Sequence, residues 1–351
     1  MLEAAEFGVR ADPLFDNGPA IIKAMNSKSE AGGGKVLLPP GILFTAEPII
    51  VPDRIWLDGE GHKATVIKLA NGVNAPVIQT PIGPPSAGGC TLSNVMIDGN
   101  AIGQVGKFDG VVWGGQAGVP FIDAWHVLEK IVVKNCAGYG FLGRGHQASV
   151  WDKLWSYHNG YGFNPSYDTA VSNCVSGRTV HAGFVIDNSG IYMSDCKAFY
   201  AGQPGYDYPG IVVVAGEQAQ GWGFLVKNIL SGTTLVGCHA QDNTAAGWRF
   251  ENGEGVVGSA LLADSNSHWG LNYAPGFDFS NYHDARLDSC MSRTRPVGTG
   301  SREYQMSAIR FINGADRNRV VLTHAGVPPV VVGPVEKSDS VILANQLIYA
   351  P

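Results

Sequence analysis

The sequence predicts an all-β solenoid, and three observations lead to this fold class. First, a motif of an aromatic residue or alanine, then glycine, then an apolar residue recurs along the chain, with its glycines at Gly140, Gly162, Gly183, Gly223, Gly247 and Gly270. Second, the steps between successive motif glycines are nearly constant, except that the step from Gly183 to Gly223 is nearly double. Third, short runs rich in β-branched and aromatic residues alternate with Gly, Asn, Asp and Ser, which is typical of strands and turns. A unit of about 22 residues cannot bury its own apolar face, so the units must stack.

Three cysteines run in phase with the glycines. Cys196 follows Cys174 at the same interval as Gly162 follows Gly140, and Cys174 precedes Gly183 by nine residues, as Cys238 precedes Gly247. We expect these thiols to lie in one interior column as small apolar side chains. The glycines are expected to mark a turn that has no room for a Cβ atom. All six cysteines fit this interpretation better than a disulfide framework.

The N-terminal segment predicts one short helix before the first coil. The residues 16–19, Asp-Asn-Gly-Pro, precede apolar residues at helical spacing over 20–25, so Asp16 or Asn17 can cap a helix there. Three glycines at 32–34 end the helix, and residues 35–41 predict a strand followed by a turn. Such a helix would cover the open end of a solenoid and block edge pairing.

The same segment carries a resemblance to a known family. Its phrase FGVRADPLFDNGPAIIKAM…GGGKVLLPPGIL is similar to FGAKGDGVTDDTAAIQAAI…GGGTVYLPPGTY, which is typical of the N-terminal part of the pectate-lyase-like superfamily. The likeness covers residues 7–68 and departs at 11–14, where the family usually has a Gly-Asp-Gly turn. The resemblance implies a right-handed parallel β-helix.

Three domains are expected along the chain. Residues 1–45 form the cap with its helix and first strand, and residues 46–295 form the β-helix. After Arg295-Pro296 the glycine motif is lost, while 309–311, 319–322, 330–332 and 341–343 still have the composition of strands. Residues 296–351 are therefore predicted to be a strand-rich C-terminal cap or trimerisation segment.

The long step in the glycine interval predicts a site. Gly223 lies much further from Cys196 than the nine residues that the other coils need, so about 18 residues are extra, either a loop or one short coil marked by Gly205. Long loops on a rigid scaffold commonly carry function. This segment supplies three aromatic residues for stacking on sugars and two carboxylates: Tyr206, Tyr208, Trp222, Asp207 and Glu217.

A second candidate is a polar column on the coils. The fourth residue after each of five motif glycines is Arg144, Ser166, Asp187, Lys227 and Glu251. Coils lie about 4.8 Å apart, so Lys227 and Glu251 are expected within ion-pair range. The column is either a solvated charged face or a sugar-binding surface, and Asp187 would lie beneath the insertion.

Two kinds of sugar chemistry fit these residues. A glycosidase needs two carboxylates, which Asp187, Asp207 and Glu217 could supply. A lyase or epimerase needs a base near the sugar C5 proton and a cation that neutralises the uronate, and Arg178 lies on the coil of Asp187. We therefore predict Asp187, Asp207 and Glu217 as catalytic residues, and predict substrate binding by Tyr206, Tyr208, Trp222, Arg178, Lys227 and Glu251.

Family motifs also count against some activities. Residues 161–166, Tyr-Gly-Phe-Asn-Pro-Ser, resemble the YGFDPH phrase of alginate epimerases, but Asn164 and Ser166 replace its Asp and His. C5-epimerisation is therefore not expected. The polygalacturonase motifs are absent, no cluster has zinc-site spacing, and no cofactor is predicted, although surface carboxylates leave Ca²⁺ open.

Charge and hydropathy exclude other partners. The formal charge is −6 with no Lys/Arg-rich run, which argues against nucleic acid and anionic membranes. No apolar stretch approaches the roughly 18 residues of a membrane span, and residues 1–7 are not a secretory signal. Synthesis in a reducing cytoplasm is favoured, although a chain whose export signal had been removed would look the same.

Combined with the resemblance, these observations favour one function. Tailspikes and minor tail proteins of bacteriophages belong to this superfamily, and the resemblance implies a homotrimer in the virion tail, in contact with other tail proteins, that binds a host surface polysaccharide. Whether it also depolymerises that polysaccharide is left open. Two alternatives remain: a secreted polysaccharide lyase or glycoside hydrolase of the same superfamily, and a structural tail protein without activity.

Overall fold

The structure is a computed structural model that describes residues 1–81, 89–114, 125–203, 210–211, 220–267, 274–294, 305–325, 331–332 and 340–343. The chain divides into two compact units, residues 1–175 with 207–212, and residues 176–206 with 213–351. Both are built from a repeated coil of up to three short strands. The first and second strands of a coil belong to one sheet and the third strands to another. We call the second of these the third-strand sheet.

The strands follow the coil order along the chain. The first strands are Gly34–Leu37, Ile55–Asp58, Thr91–Ser93, His126–Glu129, His146–Asp152, Tyr167–Ser172, Tyr192–Ser194, Thr234–Val236 and Val257–Ser259. The second strands are Gly41–Thr45, Thr65–Leu69, Met96–Asp98, Val132–Lys134, Trp155–Tyr157, Val175–Gly177, Lys197–Phe199, His239–Gln241 and Leu262–Asp264. The third strands are Ile49–Ile50, Ile78–Gln79, Val111–Gly114, Tyr139–Arg144, Tyr161–Asn164, Ala182–Ile186, Trp222–Lys227, Trp248–Glu254, Phe277–His283, Ile309–Ile312 and Val331–Val332.

Four further strands complete the set. Leu2–Glu3 pairs with the first coil strand, and Arg286–Arg293 and Arg319–Ala325 each run through the first and second positions of a coil. Ser340–Leu343 pairs in parallel with Arg319–Ala325. Neighbouring strands within each unit pair in parallel, as Phe141 with Phe163 and Phe224 with Trp248 show. The predicted all-β solenoid is confirmed.

A single left-handed residue turns the chain between the first and second strands of most coils. This position has φ near +55° and is held by Asn94, Lys130, Lys153, Asn173, Asp195 and Ala260. Asn and Asp tolerate this conformation because their short side chains bond the local backbone. The turns therefore explain part of the Asn and Asp content that separates the apolar runs.

The motif glycines are required by close packing between coils rather than by a turn. A Cβ atom on Gly223 would lie 2.7 Å from the carbonyl oxygen of Gly247 and 2.8 Å from Cβ of Ala240. Gly223 and Gly183 both lie within third strands and have no positive φ. The expectation of a turn is therefore wrong, while the expectation that no Cβ fits is right.

The predicted position of the last motif glycine, Gly270, is wrong. Trp248 pairs with Phe277, so the residue in register with Gly247 is Gly276. A Cβ atom on Gly276 would lie 3.0 Å from the carbonyl oxygen of Ala308, as this column requires. Gly270 itself lies outside the described residues.

Aromatic rings that follow the motif glycines form stacks inside the coils. In the first unit the rings of Phe141 and Phe163 are 4.9 Å apart and nearly parallel. In the second unit Phe184, Phe224 and Trp248 stack with centroid separations of 4.8 and 4.0 Å. Each ring is fully buried, so the stacks contribute large apolar side chains to both cores.

All six cysteines are buried and none forms a disulfide. In the second unit Cys196 and Cys238 lie directly before the second strands of consecutive coils. Their backbone carbonyls accept the N–H groups of His239 and Leu262, each on the following coil. A hydrogen bond with Cys196, together with burial, raises the pKa of the Cys238 thiol well above its usual range. The expected interior positions of these neutral thiols are confirmed.

The α-helix spans Gly18–Glu30 and is the only helix longer than one turn among the described residues. Oδ1 of Asp16 accepts the N–H of Gly18 at 3.0 Å, whereas Oδ1 of Asn17 accepts the N–H of Arg10. Ile21, Ala24 and Met25 form its buried face. Within the described ranges, no helix is long and apolar enough to cross a membrane.

Strands beyond residue 295 continue the parallel pairing of the coils before them. Ile309 pairs with Phe277, and Val331 pairs with Ile309. No change in strand pairing among the described strands therefore marks the expected boundary at 295, and the division into 1–45, 46–295 and 296–351 stays a prediction.

Candidate functional site

The predicted insertion between Cys196 and Gly223 is a loop and not an additional coil. The third strands on either side of it pair directly, with Ala182 opposite Trp222 and Phe184 opposite Phe224. The second strands before and after it also pair directly, with Lys197 opposite His239. Of the two interpretations, the loop is therefore correct, and Gly205 does not mark a coil.

Most of the candidate residues in this loop lie outside the described residues. These are Tyr206, Asp207, Tyr208 and Glu217, whose assigned roles stay predictions. The described part of the loop includes Gly210 and the largely buried Ile211. Gly210 has φ of +76°, and a Cβ atom there would collide with the backbone of Ala101 and Ile102. The loop is therefore held against the short turn Ala101–Gly103 at a position that accepts only glycine.

Replacing Gly210 by valine is expected to release this loop without unfolding the coils. Overpacking against backbone costs about 1–3 kcal/mol, so the released form should become about ten- to a hundredfold more populated. Limited proteolysis within 197–222 should accelerate by a similar factor, because cleavage follows the open population when closing is fast. The matched control is Gly72→Val, where φ is also +76° and a Cβ atom meets open space; equal cleavage rates in both variants would contradict the docking.

The polar column exists in the second unit as predicted. Lys227 lies opposite Glu251, and the pairing of Ile186 with Val226 places Asp187 beside Lys227. All three side chains are partly exposed. The carboxylate of Glu251 pairs with Arg249, whose Nε is 3.0 Å from Oε2, and no Lys227–Glu251 ion pair is found within the described part of the chain. Lys227 therefore presents its charge outward beside two carboxylates.

Trp222 and Arg178 lie at the other end of the third strands. Trp222 occupies the aromatic position of the repeat, opposite Ala182, and donates its backbone N–H to the carbonyl of His181. Arg178 lies in the left-handed turn after a second strand, with φ of 51°. The five-residue strand Ala182–Ile186 separates it from Asp187, on the order of 16 Å. Arg178 and Asp187 thus belong to one coil and lie on either side of this strand, and the binding role of Arg178 stays a prediction.

Sequence reasoning missed a charged ladder next to the polar column. Asp278 lies opposite Arg249 on one side and Arg310 on the other, in three consecutive third strands. Its carboxylate accepts Nη1 of Arg249 at 2.5 Å and Nε and Nη2 of Arg310 at 2.8 and 2.7 Å. These hydrogen bonds raise the pKa of the Arg310 guanidinium. Asp278 is only 2% exposed, so two cations are held on the outer side of the sheet by one buried carboxylate.

The first unit has its own candidate surface at the start of the third strands. The rings of Tyr139 and Tyr161 stack at 4.6 Å, and both side chains are partly exposed. Oδ1 of Asp109 accepts the N–H of Tyr139 at 2.7 Å. Burial raises the pKa of Asp109, against the smaller opposing effects of that bond and of Arg144. Asp109 is therefore a carboxyl group beside an aromatic pair whose part in proton transfer can be tested by substitution.

The epimerase-like phrase of the first unit lacks groups that transfer protons. Asn164 and Ser166 are both buried, at 5% and 3% exposure. An amide does not titrate in the range of a catalytic acid or base, and an isolated serine hydroxyl is a weak one. The expectation that this phrase does not support C5-epimerisation therefore rests on residue chemistry as well as on the motif.

Metal binding was left open by the sequence. No group of three or more His, Cys, Asp or Glu side chains that could hold a metal ion occurs among the described residues. Ca²⁺ binding therefore stays the open alternative to the expectation of no cofactor.

Comparisons with known proteins relate the chain to two groups. No protein-family model matches the sequence. Mannuronan C5-epimerase AlgE6 of Azotobacter vinelandii is 32% identical over 146 residues, and Alginate lyase 7 of the same organism is 29% identical over 147 residues. Each alignment covers 39% of this chain and 17% of the relative, so the chain spans a minor part of these proteins.

Solved structures match over nearly the whole chain. The A-module of the epimerase AlgE6 superposes with a TM-score of 0.69 and 19% identity, covering 98% of this chain and 100% of the module. The enzymatically active domain of tailspike protein 2 of bacteriophage CBA120 gives a TM-score of 0.74 at 13% identity, covering 97% of this chain and 51% of that protein. The chain thus has the right-handed parallel β-helix fold of the pectate-lyase-like proteins, as predicted.

Proposed function

We propose that this chain is a bacteriophage tail protein that binds a host cell-surface polysaccharide along the outer side of its third-strand sheet. The observation that carries the proposal is the polar column of the second unit, Asp187, Lys227 and Glu251, in strict register and partly exposed. A column repeating at about 4.8 Å presents polar groups at regular intervals to an extended polymer. The relatives named for mannuronan and alginate, and the tailspike domain of similar fold, support a polysaccharide as the ligand.

Lys227 favours an acidic polysaccharide, because it is the cation of this column that does not pair with Glu251. Arg249 and Arg310 lie beside it on the coils that follow and already bond Asp278. Guanidinium and ammonium groups bind carboxylates through charge-assisted hydrogen bonds. We therefore expect uronate-containing polymers to bind more tightly than neutral ones, and binding to weaken as salt screens the charges.

The tailspike likeness also supports a proposal for assembly and location. We propose a homotrimer in the virion tail, joined to other tail proteins, and no nucleic acid or inserted membrane segment. Finding the chain in purified virions by mass spectrometry would support this location. Its recovery as a secreted protein of an uninfected bacterium would contradict it.

Binding can be tested with polymannuronate and, for comparison, neutral dextran. Trp222→Ala and Lys227→Ala are each expected to weaken polymannuronate binding about tenfold, which is about 1.4 kcal/mol. Lys63→Ala, at an exposed lysine of the first unit, serves as the control and should bind like the wild type. Isothermal titration at low and high salt, with and without Ca²⁺, measures these affinities. Equal affinity for both polymers, or no effect of either substitution, would contradict the proposed surface.

A second candidate is a polysaccharide-modifying enzyme, which the alignments with epimerases and with Alginate lyase 7 favour. The carboxyl groups to test are Asp187, Asp207 and Glu217, together with Asp109 of the first unit. Size-exclusion chromatography of the polymer after incubation distinguishes cleavage from binding, and absorbance of an unsaturated product distinguishes a lyase from a hydrolase. If the wild-type protein binds the polymer and leaves its size unchanged, the depolymerase role is excluded and the binding role stands.

A further inference from the structure

Two arginines lie directly opposite each other on neighbouring strands of the second unit. Arg286 begins the strand Arg286–Arg293, Arg319 begins the strand Arg319–Ala325, and the two residues pair in parallel register. Both side chains are exposed. Neighbouring strands lie about 4.8 Å apart, and like charges directly opposite each other destabilise a sheet. The pair is therefore unfavourable for the fold alone, and an anion between the two side chains would remove the repulsion.

The backbone that carries the two arginines is fixed by two turns in register. The turn before each strand contains one left-handed residue, Asp284 in one coil and Arg317 in the next. Asn318 is fully buried between these turns. Its Oδ1 accepts the N–H of Ala285 at 3.0 Å, and its Nδ2 donates to the carbonyl of Tyr282 at 2.8 Å. These bonds join the two coils one residue before each arginine, so the two side chains start from fixed positions.

The carboxylate of the adjoining turn, Asp284, is already bonded. Arg317 donates Nε to Oδ1 and Nη2 to Oδ2 of Asp284, at 3.0 and 2.8 Å. These bonds lower the pKa of Asp284, and the charges of His283 and Arg286 have smaller effects in the same direction. By contrast, no side-chain hydrogen bond or ion pair of Arg286 or Arg319 is found in the part of the chain that the structure describes. Both guanidinium groups are thus open to a ligand.

Four other arginines of the second unit show how this protein balances such charges. Each bonds at least one carboxylate, in the pairs Arg249 with Glu251, Arg293 with Asp264, Arg310 with Asp278 and Arg317 with Asp284. These pairs provide one carboxylate for each arginine. By the same ratio, Arg286 and Arg319 together require a ligand with about two negative charges.

We propose that Arg286 and Arg319 form a binding site for a phosphate group, either as the free ion or as a phosphate monoester. A phosphate monoester carries a charge of about −1.5 to −2 at neutral pH and has three strong acceptor oxygens. One such group can therefore balance both cations. Each guanidinium presents its N–H groups in a planar fork that matches phosphate oxygens. A single carboxylate has one charge and two oxygens, so it should bind this site more weakly.

The phosphate site is separate from the proposed polysaccharide surface. Arg286 and Arg319 belong to the sheet of first and second strands, whereas Lys227 and Glu251 lie in the third-strand sheet. The inference does not depend on polysaccharide binding. Substitution of Arg286 should leave the affinity for polymannuronate unchanged, so the two proposals can fail independently.

The test is isothermal titration of the full chain with inorganic phosphate, glycerol phosphate and glucuronate, at constant ionic strength. Arg286→Gln and Arg319→Gln should each weaken phosphate binding about tenfold, because each removes the charge-assisted hydrogen bonds of one guanidinium. Glucuronate should bind the wild type about tenfold more weakly than phosphate, since it carries one charge. Binding of both phosphate compounds would identify a monoester as the ligand, and binding of inorganic phosphate alone would identify the free ion.

Arg54→Gln is the matched control, because Arg54 is an exposed arginine of the first unit, away from this pair. It should bind phosphate like the wild type. Asp288→Asn should bind phosphate more tightly, because Asp288 is exposed two residues after Arg286 and projects from the same side of the strand.

Melting temperature distinguishes binding from a structural role. Phosphate should raise the melting temperature of the wild type and leave that of Arg319→Gln unchanged. Without phosphate, Arg319→Gln should be at least as stable as the wild type, because the substitution relieves the repulsion between like charges. The proposal is overturned if neither phosphate compound binds, if glucuronate binds as tightly as phosphate, or if Arg54→Gln weakens binding as much as Arg319→Gln.

Discussion

Replacing Trp248 by alanine is expected to destabilise the second unit by about 3–5 kcal/mol, the range for truncating a buried aromatic residue. Trp248 is fully buried, with Phe224 stacked on it at 4.0 Å and Phe277 at 6.3 Å. Its Nε1–H also donates to the carbonyl of Leu262 at 3.1 Å, so the change leaves that acceptor without its donor. Because each coil contacts only its neighbours, the loss should spread to the coils on both sides.

Hydrogen exchange resolved by mass spectrometry is the suitable measurement, since it reports local opening as well as global unfolding. Exchange should accelerate in 222–227 and 277–283 before it does in 139–164. Trp125→Ala is the control, because Trp125 is 70% exposed and its truncation should change little. A denaturation midpoint equal to that of the control would contradict the role assigned to the stack.

Replacing Asp278 by alanine is expected to cost about 3–5 kcal/mol, the range for breaking a buried ion pair by removing one partner. The change leaves Arg249 and Arg310 facing each other across one coil with no carboxylate between them. Glu251 still pairs with Arg249, so the larger effect is expected at Arg310. The midpoint of urea unfolding measures the loss.

A triple replacement separates charge from packing. The same outward column contains Val185 and Leu225 on the two preceding coils, in register with Arg249. Arg249→Leu, Asp278→Leu and Arg310→Leu together would continue that apolar column and should recover most of the stability lost in Asp278→Ala. Asp12→Ala removes an exposed ion pair and should shift the midpoint little. If Asp278→Ala unfolds at the same urea concentration as Asp12→Ala, the ladder does not stabilise the fold.

The fold was predictable because the glycine interval reflects direct contact between successive coils. Gly183 and Gly223 mark neighbouring strands even though the chain between them is nearly twice the usual interval, since the contact depends on the coil and not on the length between. The glycine interval did not identify Gly276, because the chain from Gly247 to Gly276 is longer than the usual interval. Gly270 lies nearer to the position that the usual interval predicts. Periodicity alone cannot locate a coil whose loop length has changed.

The site was predictable only where it followed the coil register. Counting from the motif glycines predicts that Lys227 and Glu251 lie side by side. In the structure the two residues lie opposite each other on paired strands. The sequence did not predict the positions of Asp278 and Arg310. The chain between successive members of the charged ladder is longer than the usual interval, so no constant spacing connects them to Arg249. The sequence did not predict Asp109 as a candidate, because its raised pKa depends on burial and no local sequence pattern indicates that burial.

Direct pairing of Ala182–Ile186 with Trp222–Lys227 means that the intervening segment can change in length and composition while the strands beneath it keep their partners. The coils can therefore accept a foreign segment between residues 211 and 220 with their strand pairing unchanged, while Gly210 keeps its contact with Ala101 and Ile102.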